Sequence, residues 1–162
     1  MIVQLSGKEL LMVAQMGVVR QVENLKRGRR PAFGAGSAND WQLNIEGCLG
    51  EYAVAKALGV FPEGLADFGA CDLRAGIEVR TRSKPWHSLI LHPSDDDESA
   101  FVLVTGRNGS YQLVGWIRGE NGKREEFWAD PAGGRPAFFV SQKHLEPMAA
   151  LVDGFGRAMV PT

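Results

Sequence analysis

The 162-residue chain has 18 Lys and Arg against 19 Asp and Glu, a formal net charge of −1, with 44% hydrophobic and 23% charged residues. That composition fits a single domain, residues 1–162, with a core of its own, and excludes a body that wraps nucleic acid by overall charge; any such contact has to be local. No apolar run approaches the roughly 18 residues of a membrane span, and Cys48 and Cys71, isolated and without CxxC spacing behind a charged N-terminus, point to free thiols in a reducing cytoplasm.

The first predicted element is a helix over residues 6–27. Ser6 and Glu9 have the spacing of a capping box, Leu11, Ala14, Val18, Val22 and Leu25 form one stripe expected to face the core, and Gly28 follows the basic end. The next stretch, KRGRRPAFGAGSAND, is too rich in Gly, Arg and Pro for a regular element. Its arginines, Arg27, Arg29 and Arg30, suit either a solvated connector or an arm that touches phosphates.

A second helix starts at Asn39 or Asp40 and runs to Leu58, with Gly59 as its stop. Leu43, Leu49, Ala53 and Ala57 give it a core stripe. Asn44, Gly47 and Glu51 share another face, and two interior glycines, Gly47 and Gly50, imply that something packs closely beside Glu51, because each costs about 1 kcal/mol relative to alanine.

CDLRAGIEVRTRSKP, residues 71–85, reads as a hairpin in which Ile77 and Val79 alternate with Glu78, Arg80 and Arg82. With Arg74, Ala75 and Gly76 as a three-residue loop and Gly76 left-handed, Asp72 falls opposite Glu78, and two converging carboxylates call for a cation such as Mg²⁺ between them. A two-residue turn loses that pair, and a surface hairpin with a cross-strand charge network fits the same spacing.

Strand-like runs follow at Leu89 to Leu91, Phe101 to Thr105 and Tyr111 to Ile117, expected to form the middle of a mixed sheet, with GRNGS as a hairpin turn. A strand at Phe138 to Val140 leads to Ser141 as cap of a last helix carrying Leu145, Met148, Leu151 and Val152. Helices flanking a central mixed sheet make an α/β layered domain. His87 and His92, five apart in or beside a short strand, should point to opposite faces and so make no two-histidine metal site. Asp95, Asp96, Asp97 and Glu98 lack Ca²⁺-loop spacing and read as a solvated acidic turn. Among the tryptophans Trp86 and Trp128 flank charged stretches and suit base stacking, whereas Trp116 belongs inside a strand.

The ordered combination of GCLGEYAVAKALG with its Glu51, then Asp72, LRAGI, and Glu78-Val79-Arg80 resembles the PD-(D/E)XK, or restriction-endonuclease-like, nuclease superfamily. It is similar in character to small phage-encoded members in which a GE-containing helix precedes a hairpin ending in E-V-K-T. The resemblance spans residues 44–117 within a core of about 39–117, leaving the helix over 6–27 and the strand and helix over 138–158 as decoration. It implies a restriction-endonuclease-like core, Asp72 and Glu78 as ligands of Mg²⁺ or Mn²⁺, the Val79 carbonyl as a further ligand, and Glu51 as the helix acid that binds metal or orients water. The implied activity is a metal-activated water attacking a DNA phosphodiester, with Arg80 at the fourth catalytic position.

Arg80 departs from the family, which has lysine there. A guanidinium stays protonated, so it can clamp a phosphate oxygen but cannot accept a proton. Lys56, Arg82 and Lys84 are the candidates for a displaced cation. Arg82, Lys84 and Trp86, with Arg27, Arg29 and Arg30, are the candidate nucleic-acid contacts. Three functions therefore stand: a divalent-metal deoxyribonuclease, a catalytically silent DNA-binding module of the same fold, and a protein-interaction factor acting on a host or phage component. A homodimer is compatible with each.

Overall fold

The computed structural model describes residues 1–28, 40–60, 73, 76–131 and 133–158. The expectations placed on Arg29, Arg30, Cys71 and Asp72 therefore lie outside the described residues.

The capping box closes the N-terminus of the first helix, α1 (Gly7–Lys26): the Glu9 N–H donates to the Ser6 hydroxyl and the Ser6 N–H to the Glu9 carboxylate. A short strand, β1 (Ile2–Gln4), precedes it, and α2 (Asp40–Leu58) ends at Gly59, which adopts φ +69°. The two helices pack against each other, but not by the expected stripe. Leu11 and Leu25 are 65% and 58% exposed, and Val18 and Val22 also face outward; the buried positions are Val13, Gly17 and Gln21. A Cβ on Gly17 would sit 2.5 Å from the Ile45 Cα, so the helices meet backbone to backbone there. Close approach along Val13, Gly17 and Gln21 wins over burial of the more apolar face because interaxial distance is set by the side chains at the crossing. Gln21 then accepts a hydrogen bond from the Asn44 amide at 2.7 Å. On α2, Leu49 and Ala53 are buried as expected, whereas Leu43 is exposed.

Among the described residues seven strands form two sheets. The larger has the order β1-β5-β4-β2, from β2 (Ile77–Arg82), β4 (Ala100–Arg107) and β5 (Ser110–Arg118). β2 runs parallel to β4, and β4 pairs antiparallel with β5 through a turn in which Asn108 and Gly109 both have positive φ. The sheet is mixed and the domain combines helices with strands, as expected, but α1 and α2 cover only one face of the large sheet and the smaller sheet packs on the other. Leu89 to Leu91 does not join it. That strand, β3 (Leu89–Leu91), pairs with β7 (Ala137–Val140), which pairs with β6 (Trp128–Ala129), making a separate three-stranded sheet.

Strand parity divides the core in two. Val79, Val102 and Val104 point toward the helices, where they pack with Val13, Leu49 and Val54. Phe101 and Leu103 point the other way and pack with Leu89, Leu91 and Val140 of the smaller sheet. A short helix, α3 (Gly119–Gly122), follows β5. Ser141 opens a 3₁₀ turn over Gln142–His144 instead of capping the last helix; α4 spans Met148–Ala158, so Leu145 lies before it. The delay has a tertiary cause: Glu146 exchanges backbone hydrogen bonds of 2.8 and 3.0 Å with Trp116, which holds the chain extended beside β5. Among the described residues no helix is long and apolar enough to cross a membrane.

Candidate functional site

Gly76 has φ +68°, and Leu73 pairs with Ile77 in antiparallel sense, the Leu73 N–H donating to the Ile77 carbonyl at 3.2 Å. This is the register of the three-residue loop. From it β2 runs with Ile77 and Val79 toward α2 and with Glu78, Arg80 and Arg82 alternating to the opposite face. Thr81, on the helical side, explains Gly50: a Cβ there would lie 1.9 Å from the Thr81 Oγ1.

Arg80 is held from two sides. Its guanidinium donates to Glu78 at 3.2 Å and to both oxygens of Asp95 at 3.2 Å, and it lies 5.1 Å from the centroid of the Phe101 ring. Asp95 also accepts the His92 backbone N–H at 2.9 Å. The segment 95–98 is thus not simply a solvated acidic turn: Asp95 neutralises Arg80, Asp96 accepts from the Ser99 hydroxyl, and Asp97 pairs with Lys123. No sequence signal links residue 95 to residue 80; the crossover that carries β3 brings them together.

Glu51 occupies the other side of β2. It is 4% exposed, and both its oxygens accept from the Arg20 guanidinium at 2.7 Å in a bidentate pair that joins α1 to α2. Of the two glycines expected to have a close neighbour, Gly50 has one and Gly47 does not: a Cβ on Gly47 would lie at an ordinary 3.9 Å from Arg20 Nη1 and from Glu51 Oε1. Lys56, one of the candidate displaced cations, reaches Glu9 at 2.9 Å and the Gln4 carbonyl at 3.0 Å, at the N-terminal end of α1. The structure therefore brings Glu78, Arg80 and Arg82 onto one face of β2, while Glu51 belongs to the helix packed on the other. Among the described residues no group of three or more His, Cys, Asp or Glu side chains is arranged to hold a metal ion. A cation seated at Glu78 would have to displace the Arg80 guanidinium or be accommodated beside it.

A cleft of about 1140 Å³ opens between the first half of α2, the end of β2 and the smaller sheet. Among the described residues four arginines line it, Arg80, Arg82, Arg107 and Arg135, against one acidic residue, Glu46. Glu46 is already engaged: it accepts the Tyr111 hydroxyl, the Asn108 N–H at 3.2 Å and the Gln42 amide at 3.0 Å. Burial, and then this bond, push the Tyr111 phenol well above its ordinary pKa. The cleft is thus basic, in a protein whose net charge is near zero.

Within it Thr81, Arg82 and His87 each hold an unsatisfied atom, Thr81 through its Oγ1. The Nε of Arg82 is buried with no hydrogen-bond partner, and burial lowers the pKa of that side chain. His87 also lines the cleft, and its Nδ1 is likewise buried without a partner; burial first, then the charges of Arg82 and Lys84, hold the imidazole below its usual pKa. Contrary to the alternation expected of them, His87 and His92 open onto the same cleft, because His87 precedes β3 in a bent segment and strand parity does not apply to it. Lys84 and Trp86 stand exposed beside it, the ammonium 5.8 Å from the indole centroid, with Trp86 72% exposed. Arg107 and Arg135 escaped sequence reasoning, since they reach the cleft from the end of β4 and from the segment before β7.

No family model matches the chain, and neither a curated protein nor a solved structure matches it.

Proposed function

We propose that the protein binds DNA, with the cleft between α2, β2 and the smaller sheet as the phosphate-contacting surface. The supporting observation is the concentration of Arg82, Arg107 and Arg135 in one concavity whose described acid, Glu46, is already engaged by three donors. Guanidinium groups recognise phosphate oxygens through planar paired hydrogen bonds, and a concave surface lined by one sign of charge raises the local concentration of a polyanion. Arg80, shared between Glu78 and Asp95, contributes position more than free charge in this arrangement.

The test is the salt dependence of binding. Fluorescence anisotropy with labelled DNA should show affinity that falls steeply with salt. Replacing Arg107 and Arg135 by alanine should lower the slope of log K against log salt by roughly 0.9 for each phosphate left unneutralised on a duplex, or about 0.7 on a single strand. Binding without salt dependence, or an unchanged slope in the double variant, refutes the proposal.

One observation favours hydrolysis as a second reading. The Leu73–Ile77 pairing is the register in which a strand preceding the loop would place residue 72 opposite Glu78. Asp72, Glu78 and the Val79 carbonyl would then hold Mg²⁺ or Mn²⁺, as the resemblance to PD-(D/E)XK nucleases implies, with Arg80 as a fixed charge near the transferred phosphoryl group. Plasmid nicking with Mg²⁺, Mn²⁺ and EDTA decides it, and Glu78→Gln should abolish any metal-dependent cut while salt-sensitive binding persists.

A further inference from the structure

Two features of the cleft are unexplained by phosphate contacts along a duplex. The first is the pair of orphaned atoms. Arg82 Nε and His87 Nδ1 are buried, and neither has a hydrogen-bond partner. A buried polar atom left unpaired carries its full desolvation penalty, and Thr81 Oγ1 is a third such atom in the cleft lining; Arg82 and His87 are the two of these side chains with nitrogen donors for an anion. Both side chains line the same cleft. His87 is anchored as well, since the Gln142 amide donates to the Pro85 carbonyl at 2.6 Å and to the His87 carbonyl at 2.9 Å. A neutral imidazole in the tautomer that protonates Nδ1 offers that N–H to an anion alongside the guanidinium.

The second feature is an apolar wall. Ile90 of β3 and Phe139 of β7 are direct cross-strand neighbours, and both line the cleft, while Leu89, Leu91 and Val140 turn into the core behind them. A duplex presents phosphates on its outside and keeps its bases stacked within, so it has no use for an aromatic ring in a recess. An unpaired base offers a π face that such a ring can meet. The volume, about 1140 Å³, exceeds the roughly 300–1,000 Å³ of a small-ligand pocket and leaves room for more than one nucleotide.

We infer that the cleft takes single-stranded nucleic acid, with one phosphate seated between Arg82 and His87 and a neighbouring base against Phe139. The inference rests on the reading of the cleft as a nucleic-acid site and adds strandedness and a specific phosphate seat to it. Charge alone would admit other polyanions; the orphaned pair next to an aromatic wall selects one that alternates phosphate with an exposed ring.

Anisotropy titrations of a labelled oligothymidylate and of a blunt duplex of equal length test it, with inorganic polyphosphate as a competitor that has charge but no bases. The single strand should bind about tenfold more tightly than the duplex, and polyphosphate should compete poorly. Phe139→Leu keeps the wall filled and apolar, and Arg82→Ala removes a half-buried side chain whose Nε has no partner, so both should fold; each should weaken single-strand binding by about fivefold or more, and Phe139→Leu, which carries no charge, should change duplex binding by less than about twofold. Duplex binding as tight as single-strand binding, polyphosphate competing as well as the oligonucleotide, or a silent Phe139→Leu overturns the inference and leaves DNA binding at the cleft standing. Loss of salt-sensitive binding to both forms overturns that underlying reading instead.

Discussion

Arg20 and Glu51, thirty-one residues apart, face each other through two hydrogen bonds of 2.7 Å, one to each carboxylate oxygen. Arg20 is partly exposed, but Glu51 is almost fully buried, so the pair acts as a clamp between α1 and α2 at the level where Gly17 brings the two backbones together. Removing the guanidinium leaves a carboxylate in the helix interface without its bidentate partner. We expect Arg20→Ala to destabilise the fold by about 3 kcal/mol in urea denaturation, and Arg20→Lys to recover only part of that, because an ammonium cannot reproduce the planar fork. An Arg20→Ala variant as stable as the wild type would show that the pair holds nothing together.

Gly50 and Thr81 make a second contact of this kind, between α2 and β2. A Cβ at position 50 would lie 1.9 Å from Thr81 Oγ1 and 3.0 Å from both Cβ and Cγ2, so no rotation of this branched side chain clears the space. Gly50→Ala should therefore cost about 1–3 kcal/mol through overpacking, although alanine is the better helix former by about 1 kcal/mol. Thr81→Ala alone should be close to neutral, since Thr81 Oγ1 is buried without a partner. Combined, the two should recover most of the loss, and a double-mutant cycle with no coupling would contradict the packing described.

Stability should fall at both ends of the pH scale, for separate reasons. Lys56 above all, and then the Ser6 N–H, hold the Glu9 carboxyl at about 2 against an ordinary 4.5. Between those values the unfolded chain binds a proton that the folded one refuses, so stability present above about pH 4.5 is lost as pH falls toward 2. Tyr111 is shifted upward from 10.0, so the unfolded phenol ionises first and stability declines as pH rises beyond that value. Urea midpoints measured across pH should show the acid limb flattened in Glu9→Gln and the alkaline limb flattened in Tyr111→Phe. Unaltered limbs in these variants would remove both residues from the account.

Much of the local structure is legible in the sequence because its causes are local. Ser6 and Glu9 start α1 through two hydrogen bonds spanning three residues, Gly59 stops α2, Asn108-Gly109 makes the β4–β5 turn, and Gly76 takes the left-handed conformation its loop requires. The helix–sheet layering follows from the order of these elements, and the alternation along β2 places Glu78, Arg80 and Arg82 on one face. Each of these outcomes depends on groups within a few bonds of one another, where steric and hydrogen-bonding preferences act without reference to the rest of the chain.

Only the tertiary structure decided which faces meet. The most apolar stripe of α1 gives way to Val13, Gly17 and Gln21 because a glycine against the Ile45 backbone lets the helices approach more closely than leucines would. Leu89 to Leu91 leaves the main sheet because its partner, β7, lies some fifty residues further on. Arg80 takes Asp95, Glu51 takes Arg20, and Arg107 and Arg135 converge with Arg82 on one cleft for the same reason. Charge and polarity in a sequence state what a side chain needs, but the packing of distant elements determines which partner, if any, arrives to meet it; in the cleft, Arg82 Nε and His87 Nδ1 are buried where none has arrived.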